Sequence, residues 1–139
     1  MGLPQINYLA VLVSGFVIFI LGGLWYSPVL FMKQWTALMG KSEAEFKASS
    51  FLPAPVLFGL AFVCGLTSAA ALAVILNHFN NVTPLRGALV GLLCWIGFAG
   101  ATSFANVLFA KKPFPLWLID TGFNLVSFLL AGIILALWR

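Results

Sequence analysis

Four apolar runs, at about residues 6–26, 55–76, 85–109 and 115–138, contain between them only two charged side chains, Arg86 and Asp120. A bilayer core about 30 Å thick calls for roughly 20 apolar residues per spanning helix. Each run therefore reads as one span. The predicted fold is all-α: an integral membrane four-helix transmembrane bundle forming a single domain over residues 1–139. Only 7% of the residues are charged, against roughly a quarter in a soluble domain, so the chain has too little polar surface to face water as a globule. The first run lacks a basic leading region and a small-residue cleavage site, and is expected to be a permanent span rather than a signal peptide.

The few cations are unevenly placed. Lys33, Lys41 and Lys47 fall between spans one and two, and Lys111 and Lys112 between spans three and four; Arg86 and Arg139 lie on the other side. Cytoplasmic loops retain positive charge, so both termini are expected outside. The net charge of +4 then describes topology and contact with anionic headgroups. A basic stripe interleaved with aromatics is missing, which argues against nucleic acid as a partner. Lys33, Lys111 and Lys112, with Trp25 and Trp35, are the expected interfacial anchors.

The segment between spans one and two has helix punctuation. Ser27 and Pro28 suit an N-cap followed by N1, Phe31, Trp35 and Leu38 share one face, and Gly40 suits a C-terminal stop. This predicts a short interfacial helix between spans one and two. Ser42-Glu43-Ala44-Glu45 matches a capping box for a second one. Two ridges of small residues, Ala61-Gly65-Ala69-Ala73 and Gly97-Ala101-Ala105, suit close helix packing, within the bundle or between copies. Cys64 and Cys94, both near mid-span, read as small buried apolar residues. His78, the one histidine, stands in an external loop without acidic or thiol neighbours. No cofactor or metal is expected.

Asp120 carries the functional argument. Asp120, Asn124 and Ser127 share one stripe of span four, while Gly91, Trp95, Thr102 and Asn106 share one of span three by the same periodicity. Spans three and four are antiparallel, so Asn106 and Asp120 fall at similar depth, and Tyr26 arrives at the same boundary. A polar cluster of Tyr26, Asn106, Asp120 and Asn124 is predicted, because an acid near hydrocarbon turns inward to find partners. A structural role competes: Asp120 could pair with Lys111 or Lys112, or cap a helix starting at Thr121.

INYLAV at 6–11, GGLWYSPVLF at 22–31 with Trp35 beyond it, TPLRGALVG at 83–91 and LIDTGFNLVSFLLAGIILALWR at 118–139 together resemble bacterial four-helix membrane proteins catalogued as domain of unknown function family 1761. The resemblance covers nearly the whole chain. It implies a four-span bundle in a bacterial cytoplasmic (inner) membrane, and it marks Trp25, Tyr26, Ser27, Pro28, Arg86, Asp120 and Arg139 as matching recurrent segments. Phe123 and Asn124 depart from the Tyr and the apolar or His residue that the resemblance implies. It implies no reaction.

Three function classes remain to be weighed. A non-enzymatic membrane interaction or scaffold protein asks least of the sequence, with the bilayer, a homo-oligomeric partner copy and a protein on the cytoplasmic face as partners. The alternative is a homo-oligomeric channel or transporter passing a proton, ion or small polar solute by way of Asp120. An enzyme ranks last, because no histidine, thiol or second carboxylate falls within reach of Asp120 to act as base or nucleophile.

Overall fold

The computed structural model describes residues 5–40, 44–45 and 52–138. Its helices are α1 (Tyr8–Trp25), α2 (Met32–Leu38), α3 (Ala54–Leu76), α4 (Pro84–Cys94), α5 (Ala101–Ala110) and α6 (Phe114–Leu137), with a π-helical stretch, Trp95–Gly100, joining α4 to α5. The unit Pro84–Ala110 is thus one continuous span. Four helices are long and apolar enough to cross a membrane, with mean hydropathy from 1.8 to 2.2 over their most apolar windows. No strand occurs among the described residues.

Local chemistry sets the helix ends. Asn7 caps α1, its Oδ1 accepting from the amides of Leu9 at 3.1 Å and Ala10 at 3.2 Å. Thr83 caps α4 by accepting from the Arg86 amide, and Pro84 follows in the first turn, where a missing N–H costs nothing. Pro55 and Pro115 occupy the same early positions in α3 and α6. Gly40 takes a φ of +74° just after α2, the left-handed stop expected of it. The start of α2 differs from expectation. Residues 27–31 form turns, and the Ser27 hydroxyl donates to the Leu24 carbonyl at 2.6 Å instead of capping, so the helix begins only at Met32. Ala44 and Glu45 are helical, but Ser42 and Glu43 lie outside the described residues, and the capping box with them.

Packing follows the small residues. α1 lies against α3 and α6, while span three packs chiefly on α6. Gly65, Ala69 and Ala73 are buried at the α1–α3 crossing, where a side chain on Gly65 would press on Ile18. The closest approach joins α4 to α6. A Cβ on Gly87 would collide with the Gly132 carbonyl, one on Gly132 with the Gly87 carbonyl, and one on Gly91 with the carbonyl of Phe128. Backbones in such contact gain dispersion over a long seam, the means by which membrane helices associate without a hydrophobic drive. The core is Ala10, Val11, Ile18, Ala69, Leu72, Ala73, Leu76, Ala131 and Leu135. The second ridge is spent differently: Gly97, Ala101 and Ala105 are exposed.

Gly132→Leu is expected to destabilise the bundle by about 1–3 kcal/mol or more, since the obstruction is backbone. Gly97→Leu, where an added Cβ meets open space, should escape that loss and gain up to about 1 kcal/mol of helix propensity. Detergent-titration unfolding followed by circular dichroism measures both; equal losses would contradict the packing described.

Candidate functional site

At the α2 end of the bundle, three consecutive residues of α6 each receive an indole N–H. Trp25 donates to the Ile119 carbonyl, Trp35 to Asp120 Oδ1 and Trp95 to the Thr121 carbonyl, each at 2.9 Å. The Tyr26 hydroxyl donates to the same Asp120 Oδ1 at 2.6 Å. These donors come from α1 and the residue capping it, from α2, and from the π stretch. They close a knot around Asp120. Gly122 completes it by leaving room for the Trp25 ring, which a Cβ there would approach to 3.3 Å. The aromatic rings also support one another: Trp25 stacks obliquely on Phe31 at 4.9 Å, and Tyr26 meets Trp35 edge-on at 5.7 Å and Phe123 at 5.8 Å.

An indole donates and cannot accept, so a buried Trp near hydrocarbon must find a carbonyl or carboxylate. That need places these rings. Tyr26 stands one residue beyond α1. Burial first, then the hydrogen bond to Asp120 and its charge, hold the phenol well above its ordinary pKa range, so it serves as a neutral donor.

The sequence-predicted residues separate here. Tyr26 and Asp120 meet directly. Asn124, one turn further along α6, lines a cavity that Tyr26 also lines. Asn106 is not part of the cluster: it is exposed on α5. The reason is the π stretch. It amounts to one inserted residue in span three, turning everything beyond it by roughly 100° relative to uniform α periodicity. Seven residues after Trp95, an unbroken helix would aim Thr102 at α6; instead Ser103, the eighth, lies there. Ser103 Oγ sits 3.4 Å from Thr121 Oγ1 and accepts from Trp117 Nε1 at 2.9 Å. Thr102 and Asn106 are rotated off that face together. The stretch itself contains Gly97 and Gly100, poor helix formers, and the hydroxyls of Thr102 and Ser103 take up the Phe98 and Ala99 carbonyls, both at 2.6 Å.

Both structural alternatives for Asp120 are replaced as well. α6 begins at Phe114, capped by Pro113, so Asp120 lies in the second turn and is no N-cap. Its carboxylate is met by Tyr26 and Trp35, while Lys111 and Lys112 are exposed in the link. Trp25 and Trp35, expected as interfacial anchors, donate into α6; Lys33 is exposed. Cys64, expected to be buried, is exposed and lines the cavity, and Cys94 is half-buried. His78, in the turn just beyond α3, contacts the Val74 carbonyl of that helix at 2.8 Å.

The cavity has a volume of about 650 Å³ and lies between α1, α3 and α6. Ile18, Phe19, Phe58, Phe123 and Phe128 form apolar walls, with Tyr26, Ser68, Asn124 and Ser127 among its polar side chains. Sequence reasoning put Trp95 on the stripe of span three without giving it an acceptor, and missed Ser103, the Thr121 acceptor and the Gly87–Gly132 crossing. The signal at Trp95 was present: a tryptophan inside a span has to be given an acceptor.

Four bilayer-length helices, three of them tied by an aromatic-carboxylate knot, define a small multi-pass helical membrane protein. Within that class, a family model described as "Protein of unknown function (DUF1761)" matches residues 9–136, and the chain belongs to this family. Neither a curated protein nor a solved structure matches it.

Asp120→Ala strands two donors and is expected to cost about 2–3 kcal/mol. A double-mutant cycle pairing it with Tyr26→Phe should return a coupling of roughly 0.6–1.7 kcal/mol, the range of side-chain hydrogen bonds between membrane helices. Detergent unfolding measures the cycle, and additive losses would contradict the bond.

Proposed function

We propose that this chain is a non-enzymatic membrane interaction or scaffold protein of the bacterial inner membrane, with its lysine-bearing loops in the cytoplasm and both termini outside. The observation that carries the reading is the engagement of Asp120. Its Oδ1 accepts from both Tyr26 and Trp35, so the carboxylate works as a tie that fastens α2 and the end of α1 to α6. A group held by two neutral donors is suited to fixing the shape of the cytoplasmic end.

The fastened α2 and the exposed Lys33, Lys111 and Lys112 lie at one end of the bundle, a basic rim for an anionic lipid surface or an acidic partner. Exposed Gly97, Ala101 and Ala105 leave span three a smooth ridge on which a second copy would pack.

Two measurements test this. Reconstituted into liposomes, the protein should pass protons and potassium no faster than protein-free vesicles, and Asp120→Asn should behave identically; a flux abolished by Asp120→Asn would establish transport instead. In a Cys64→Ser/Cys94→Ser background, Lys112→Cys should resist an impermeant maleimide in intact spheroplasts while His78→Cys is labelled. The opposite pattern would invert the topology.

A further inference from the structure

Asn124 is ten residues from the first residue of α6 and Cys64 ten from the first residue of α3, so at ~1.5 Å per residue both lie about 15 Å deep. That is the middle of a core about 30 Å thick. The Asn124 carboxamide and the Ser68 hydroxyl meet no hydrogen-bond partner among the described residues, and both line the cavity between α1, α3 and α6. Asn124 is exposed to that space, and at mid-bilayer depth an amide without a partner is costly; this one has donors and an acceptor to fill. Among the described residues no charged side chain lines the cavity. An anionic headgroup would find no counter-charge there, and a desolvated cation no carboxylate. A plain acyl chain would fit the phenylalanine walls but leave Asn124 unanswered.

We propose that this cavity binds a neutral, lipid-soluble molecule bearing a carbonyl or hydroxyl group, drawn from the bilayer and held by Asn124 and Ser68 against Phe58, Phe123 and Phe128. The volume, about 650 Å³, falls inside the range of small-molecule sites, which are mostly apolar with a few placed polar groups. The inference goes beyond the docking role and does not depend on what the loops contact.

The probe is tetramethyl-1,4-benzoquinone, a tryptophan quencher with two carbonyls, titrated into the protein in phosphatidylcholine nanodiscs; Trp25 packs on Phe123 of the cavity wall at 6.4 Å. A saturable component should appear above linear partitioning. It should weaken about five- to tenfold in Asn124→Leu, the loss of roughly one hydrogen bond, and vanish in Ala61→Phe, whose ring would stand in the cavity. The hydrocarbon 1,2,4,5-tetramethylbenzene should compete at least about fivefold less well than the quinone for wild type, and equally for Asn124→Leu, by the same loss. If Ala61→Phe does not insert, Asn124→Leu and the competition carry the test. Linear quenching in wild type, equal competition by both compounds, or saturation surviving in folded Ala61→Phe would overturn the proposal. So would rapid N-ethylmaleimide labelling of Cys64, because thiolate chemistry at that depth requires a wet cavity.

Discussion

The absence of water from a bilayer core governs this molecule, and its clearest expression is the convergence of Trp25, Trp35 and Trp95 on residues 119, 120 and 121. An indole N–H buried beside hydrocarbon and left unmet costs far more than one in water. By ending on one short stretch of α6, the three donors fix where α1, α2 and the π stretch stand around it. Asp120 belongs to this arrangement as its one acceptor from a side chain; the other two acceptors are carbonyls already used within the helix. The acid is therefore explained first by the donors it satisfies.

The π stretch shows how a local irregularity serves the same end. A uniform helix from Pro84 to Ala110 could place Gly91 against Phe128 and Trp95 against Thr121, but it would then aim Thr102 at α6 and leave Trp117 to find another acceptor. One inserted residue turns Ser103 inward to accept from Trp117, so the glycine-packed and the tryptophan-bonded halves of span three both face α6. The two halves answer to different forces. α4 is held by backbone contact at Gly87, Gly91 and Gly132, and α5 by polar contacts near the end of the bundle.

Elements that depend on composition along the chain were legible from it. The four spans follow from runs too apolar for water, and the end of α2 from the left-handed Gly40. The contact between Tyr26 and Asp120 was legible too, because an acid in a span needs a donor and the aromatic end of α1 reaches its depth. Asn106 was not placed correctly, since extrapolating a 3.6-residue period through Gly97 and Gly100 assumes the helix they interrupt. The start of α2 was misplaced for a related reason: Ser27 had a carbonyl of the preceding turn within reach, and bonding it competed with capping.

The sequence by itself determined that this chain is a bundle of four membrane-length helices with one acid in its last span, because hydrophobic transfer and backbone satisfaction act residue by residue along each helix. The tertiary structure alone decided which faces meet. Indole donors choose among many carbonyls, glycine pairs select one crossing among several ridges, and a single inserted residue turns half a span. Those choices are energies of pairs far apart in the chain, and no local pattern contains them.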